Sequence, residues 1–172
     1  MDFSDRLFDF NGRLRRRDWW LLSIGLGLFN YTIMQVVAPM VLGDDGRAQI
    51  TPGSFIPTYP VPLLVLLLAM TAILLWPNLA LAAKRAHDRD KSATLAMLLT
   101  VFCTLANCGS LIGMTVTHDL SLVMLSGLVN LTAGLYLLVT LGFLDGTPGA
   151  NQYGDSPKGY AGPYAEFVDE PA

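Results

Sequence analysis

Four apolar stretches, each long enough to cross a bilayer, fill most of the 172-residue chain between Trp19 and Leu144. A membrane-spanning helix needs about 20 mostly apolar residues. Trp19–Leu42, Val61–Ala83, Ala93–Val116 and Leu120–Leu144 all satisfy that length. Leu63–Trp76 (LLVLLLAMTAILLW) is apolar on every face, whereas a helix of a soluble bundle alternates its faces with a 3.6-residue period. A chain this short cannot surround such a helix with protein, so the solvent of this segment is lipid. Hydrophobic residues make up 52% of the chain and charged residues 15%, against about 25% charged in an average soluble domain. The expected fold is all-α: a polytopic four-helix membrane bundle forming a single domain over residues 1–162. A mobile acidic tail over 163–172 follows.

The cations orient the bundle. Arg6, Arg13, Arg15, Arg16 and Arg17 precede the first span. Lys84, Arg85, Arg89 and Lys91 separate the second from the third, and Lys158 follows the fourth. Only Arg47 falls on the other side, so ten of the eleven Lys and Arg residues share one side. The positive-inside rule makes that side cytoplasmic, and both termini with it. The net charge of −3 is no guide, because acidic residues weigh little in the rule.

A cleaved signal peptide is not expected, since the first apolar run starts late, is long, and lacks a small-residue cleavage site. Cys103 and Cys108 lie five apart within the third span and point in different directions, so they read as apolar fillers. Gly43–Pro60 reads as an irregular extracytoplasmic connector in which Ile50, Phe55, Ile56 and Tyr59 can rest at the interface. The turn Thr117–Asp119 makes the last two spans an antiparallel hairpin. Residues 1–18 interleave Phe3, Leu7, Phe8 and Phe10 with charged residues, which suits a short segment lying in the headgroup layer. Trp19 and Trp20 then fall where an aromatic belt belongs.

Three blocks on the cationic side are denser in specific residues than connectors require. The first is Gly12-Arg13, Arg16 and Trp19-Trp20. The second is Trp76-Pro77-Asn78 with Lys84-Arg85, His87-Asp88-Arg89 and Lys91-Ser92. The third is Gly146-Thr147, Gly149, Asn151, Tyr153-Gly154 and Pro157. Arg13 and Arg16 share a face if that stretch is helical, and guanidinium groups grip phosphate by a two-pronged contact. Arg85 and Asp88, three apart, can pair. His87 and Asp88 are adjacent and point about 100° apart on a helix, so they are not a ready catalytic dyad. The glycine-rich third block lacks the Lys-Ser/Thr pair and the preceding strand of a phosphate loop, and reads as a tight turn capping the last span. Pro77 has no amide proton and is expected to kink the second span, aiming Lys84–Lys91 across this face.

These blocks carry a resemblance. The run Phe10-Asn-Gly12-Arg13-Leu-Arg-Arg16 leading to Trp19-Trp20, the run Pro77–Ser92 and the run Gly146–Pro157 together resemble the bacterial inner-membrane family called domain of unknown function 805. The likeness extends from about Phe3 to Pro157. The chain departs from the family pattern at Ala86, where a bulky residue is usual, and at Ala93-Thr94-Leu95, where glycine and an aromatic are common. The resemblance implies a helical, multi-pass protein of the bacterial inner membrane and brings no catalytic residue with it.

No Lys, Arg, Asp or Glu lies deep in any span, which counts against pumps and proton-coupled carriers. The amides Asn30, Gln35, Asn78, Asn107 and Asn130 read as interhelical packing groups. Gly109 with Gly113, and Ser126, Asn130 and Gly134, offer close-approach faces to the bundle or to a second copy of the chain. The functional expectation is a non-enzymatic interaction or regulatory protein. Arg13, Arg16, Arg85 and His87 engage anionic lipid headgroups or a protein partner, and Asp88, Pro77, Gly146, Asn151, Tyr153 and Gly154 organise that surface. A small oligomeric transporter or channel is the alternative, and a lipid-modifying enzyme using His87 and Asp88 a further one. No cofactor and no nucleic acid are expected. No metal is expected either, because His87 and His118 fall on opposite sides of the membrane.

Overall fold

Every regular element of the computed structural model, which describes residues 3–50, 57–117 and 120–159, is helical. Among these residues there is no strand, only the isolated bridges Gln49–Thr58 and Asn151–Gly154. Helix α1 (Phe3–Phe8) precedes α2 (Arg16–Thr32). The latter continues through a π-helical stretch (Ile33–Val37) into α3 (Ala38–Leu42) and a 3-10 turn (Gly43–Gly46). Helix α4 covers Val61–Asp88, and α5 (Thr94–Ile112) ends in a π-helical turn (Gly113–Thr117). Helix α6 (Leu120–Leu137) likewise ends in a π-helical segment (Leu138–Phe143). The tail 163–172, His118 and the loop residues Phe55 and Ile56 lie outside the described residues.

Four helical segments among the described residues are long and apolar enough to cross a membrane: Arg16–Gly46, Val61–Asp88, Thr94–Val116 and Leu120–Phe143. This is the make-up of a multi-pass membrane protein. Large apolar side chains line their outsides, Leu21, Leu105 and Leu131 among them, each more than 60% exposed. In water such surfaces would aggregate; facing lipid tails they cost nothing.

The helices form a ring in which α4 packs against α2 and α5, and α5 against α6. Helix α2 meets the last span chiefly at its π-helical end. Helix α4 is the hub: 22% of its most apolar window is buried, against 6% for each of the other three spans. From Ala80 to Ala86 every residue is buried, which encloses α4 on all sides for nearly two turns. Four alanines in that run (Ala80, Ala82, Ala83 and Ala86) let neighbouring backbones approach closely. Leu81 joins Leu7 and Leu14 in one apolar cluster, while Ala82 and Ala86 join Ala96 and Leu141 in another. The N-terminal block and the end of the last span are thus packed onto the same stretch of α4.

Helix α4 runs through Pro77 as one 28-residue helix. The amide of Asn78 donates to Leu74 O at 2.7 Å, and that of Asn130 to Ser126 O at 2.8 Å. Both groups, expected to bridge helices, satisfy themselves within their own helix. A Cβ on Gly109 or Gly134 would meet nothing within 4 Å, so these positions are not close approaches inside the single chain.

Candidate functional site

Asp88, the last residue of α4, gathers the three sequence blocks. Its Oδ1 accepts from Arg13 Nε at 3.2 Å and lies 3.1 Å from Arg13 Nη2. Its Oδ2 pairs with Arg85 Nη1, one turn back on the same helix. Its backbone carbonyl accepts from Thr147 N at 2.8 Å and from the Thr147 hydroxyl at 3.2 Å. The three side chains are almost wholly buried. Charges so enclosed persist only when paired and hydrogen-bonded, and here both carboxylate oxygens are engaged.

Arg13 spends its remaining donors on backbone. Nη1 donates to Gly149 O (2.6 Å) and Gly154 O (3.2 Å), and Nη2 to Thr147 O (2.7 Å). One guanidinium therefore folds the segment after the last span around itself. That segment turns at Gly149 (φ 73°) and Gly154 (φ 123°), conformations that side chains rarely adopt. Gly146 is required for a different reason: a Cβ there would fall 2.0 Å from Asp88 Oδ2. Asn151 Nδ2 donates to His87 O (2.9 Å) and to the Thr147 hydroxyl (3.0 Å), while Asn151 Oδ1 accepts from Tyr153 N (2.9 Å). The Tyr153 ring stacks on His87 with centroids 3.9 Å apart and planes within 10°. His87 Nδ1 lies 3.3 Å from Gly12 O.

A second network caps the end of the last span. A π-helix bonds i to i+5, so its final five carbonyls have no partner within the helix. After the bond from Leu144 N to Val139 O these are the carbonyls of residues 140–144. Arg89 Nη1 donates to Thr140 O (3.1 Å), Arg85 Nε to Leu141 O (2.7 Å) and Trp20 Nε1 to Gly142 O (3.0 Å). Arg16 Nη1 donates to Phe143 O (3.1 Å), and Arg85 Nη2 to Leu144 O. All five carbonyls are satisfied. Three guanidinium groups at a helix C-terminus also complement its negative dipole end. In low dielectric an orphan carbonyl costs several kcal/mol, which accounts for so many donors at one turn.

Helix α1 is held by the same logic. Fully buried Lys84 donates from Nζ to Arg6 O (2.9 Å) and to Asp5 O, which also accepts from Asp9 N at 3.3 Å, placing an ammonium at the C-terminal turn of α1. Trp76 Nε1 donates to Phe8 O (3.2 Å), and the Trp76 and Phe10 rings meet edge to face at 5.1 Å. Asn11 N donates to Asp9 Oδ1 at 3.0 Å, a bond that holds the Asp9 carboxyl below the usual carboxylate range.

Of the residues grouped from the sequence as an anion-binding set, Arg13 and Arg85 have their donors turned inward. His87 is covered by Tyr153, and Arg16 sits at the rim, paired with Asp145 at 3.2 Å while nearly half exposed. Asp88, Gly146, Asn151, Tyr153 and Gly154 all lie in the Asp88 network, whereas Pro77 stands three turns away on α4. The sequence reading did not single out Lys84, Thr147, Arg89 and Trp20 as individual site members. Lys84 carried a visible signal, a cation directly after the apolar run Leu79–Ala83.

The rim holds further arginines. Arg17 is exposed and 3.6 Å from Asp18, and Arg6 reaches the same carboxylate at 3.9 Å. Arg15 is half-buried, and its guanidinium has no hydrogen bond or ion pair among the described residues.

The model of the family described as "Protein of unknown function (DUF805)" matches residues 7–155, a range that holds the entire Asp88 network. The chain is 30% identical over 162 residues to "Uncharacterized protein YiiR" of Escherichia coli (strain K12), covering 90% of this chain and 89% of that protein. The protein of the same name from Escherichia coli O157:H7 matches to the same extent. No solved structure matches the chain.

Proposed function

The chain belongs to the DUF805 family, and on that premise we propose that it is a non-enzymatic protein of the bacterial inner membrane that recognises anionic lipid headgroups. Both termini and the Asp88 end of the bundle face the cytoplasm in this reading, as the one-sided distribution of Lys and Arg supports. The observation that carries it is the division among the arginines. Arg13 and Arg85 are saturated by Asp88 and by backbone carbonyls. The Arg15 guanidinium has no hydrogen bond or ion pair among the described residues, and Arg16 and Arg17 stand at the exposed rim beside it. Exposed guanidinium groups at the foot of a span lie at headgroup depth, where each contributes about 1 kcal/mol toward an anionic leaflet. A hydrolytic role for His87 has less support, since both oxygens of Asp88 are engaged by arginine and the imidazole faces a carbonyl.

The test is the lipid that accompanies the purified protein. Extracted gently from its membrane, the parent carries anionic phospholipid above its bulk proportion. The Arg15→Gln/Arg16→Gln/Arg17→Gln variant carries the bulk proportion. Equal enrichment in both, with both folded, overturns the reading, and an acidic protein retained by the parent alone moves the role of the rim to a protein partner.

A further inference from the structure

Two cavities share the walls made by α1 and α2. Toward the block end lies a basic cleft of about 720 Å³, lined by Arg6, Arg15, Arg17, Asp18, Asp155 and Ser156 among others. Toward the middle of the bundle lies an apolar groove of about 490 Å³ between α2 and α4, lined by Leu7, Phe8, Leu22, Gly25, Phe29 and Ile73 among others. The cleft and groove are neighbours by construction. Arg6 lines one and Leu7 and Phe8 the other, consecutively on α1, while on α2 Arg17 and Asp18 precede Leu21 and Leu22 by one turn. The Arg6–Asp18 contact joins α1 to α2 at that boundary.

We infer that cleft and groove together form a site for a single anionic phospholipid of the surrounding leaflet, with its phosphate at Arg6, Arg15 and Arg17 and one acyl chain along Leu22, Gly25 and Phe29. This rests on the reading above that the rim arginines meet anionic lipid, and it adds one defined place and the chain-binding half. Charge selects the occupant. Three guanidinium groups that are not committed to Asp88 face two carboxylates, and that of Arg15 has no hydrogen bond or ion pair among the described residues. Length agrees as well. From Leu21 to Phe29 the groove follows α2 for about 12 Å at 1.5 Å per residue, most of one leaflet of a hydrocarbon core about 30 Å thick. Gly25 forms the floor because it has no side chain, and a Cβ there would meet nothing within 4 Å. A zwitterionic phospholipid would fill the groove equally well and would bring its own cation into the basic cleft, which disfavours it.

The geometry separates the two halves experimentally. Native mass spectrometry of the full chain, titrated with phosphatidylglycerol and with phosphatidylcholine of the same acyl chains, reads stoichiometry and affinity directly. The parent binds one phosphatidylglycerol ahead of all others. Gly25→Leu extends a side chain into the groove from a Cβ that meets nothing within 4 Å, and it lowers that affinity about tenfold, the scale expected for excluding about two buried methylenes. Arg15→Gln/Arg17→Gln reduces the preference for phosphatidylglycerol over phosphatidylcholine, by about fivefold for each arginine removed. If Gly25→Leu binds like the parent while the arginine variant loses its preference, the site proposed here is wrong and the headgroup reading stands. If both variants bind like the parent, both fail. Many equivalent phosphatidylglycerol molecules on the parent, with no first site, also overturn the single-site inference.

Discussion

Arg13 and Asp88 are 75 positions apart in the chain and 3.1 Å apart in space, their side chains 2% and 4% exposed. That pair ties the segment before the first span to the end of the second. Arg13 then ties both to the loop after the fourth through Thr147, Gly149 and Gly154. Buried pairs add little net stability when whole, yet removing one member leaves an uncompensated charge and costs about 3–5 kcal/mol.

Asp88→Asn is therefore expected to be severely destabilising, because it strands two guanidinium groups at once. Thermal unfolding in detergent reads this as a large fall in midpoint. Arg85→Lys falls too, since one ammonium cannot span Leu141 O, Asp88 and Leu144 O together; each charged hydrogen bond lost costs about 1.5–3 kcal/mol.

Glycine positions give a paired contrast. Gly146→Ala drives a methyl into the Asp88 carboxylate and is expected to destabilise by about 1–3 kcal/mol. Gly127→Ala, in a helix with open space around it, is expected to be neutral or stabilising by up to about 1 kcal/mol. The same unfolding experiment ranks them.

The His87–Tyr153 stack closes the last loop over the network. Tyr153→Ala removes about 0.5–1.5 kcal/mol of ring contact and is expected to speed tryptic cleavage at exposed Lys158. Tyr153→Phe keeps the stack and the parent's cleavage rate.

The spans are plain in the sequence because bilayer thickness sets a length that few other structures demand. Convergence of the three blocks follows from the same count: an even number of spans separates each from the next, and the hydrogen bonds of Arg13 and Asn151 bring them together. What the sequence does not display is which arginine looks inward. Arg13, Arg15, Arg16 and Arg17 are chemically equivalent letters, and only the turn at Gly12 (φ 86°) and the start of α2 at Arg16 send the first inside and leave the others at the rim. The π-helical end of the last span is equally silent, and with it the role of Arg85, Arg89 and Trp20 as caps. Intrahelical satisfaction of Asn78 and Asn130 is a further departure, since an amide's choice between its own turn and a neighbouring helix depends on packing distance.

Orientation has its own test. In a background with Cys103 and Cys108 replaced by alanine, a cysteine at Arg47 is expected to react with a membrane-impermeant thiol reagent in spheroplasts. A cysteine at Ser156 is expected to react only after lysis. The reverse pattern would invert the bundle.

In the proposed function, buried arginines build the surface and rim arginines bind lipid through it. The most direct measurement takes melting temperature and bound phosphatidylglycerol on the same samples of Arg13→Gln and of Arg15→Gln/Arg17→Gln. The account predicts that Arg13→Gln loses thermal stability, whereas the rim variant melts like the parent and loses its anionic lipid. A rim variant that keeps the lipid, or an Arg13→Gln protein that melts like the parent, would contradict it.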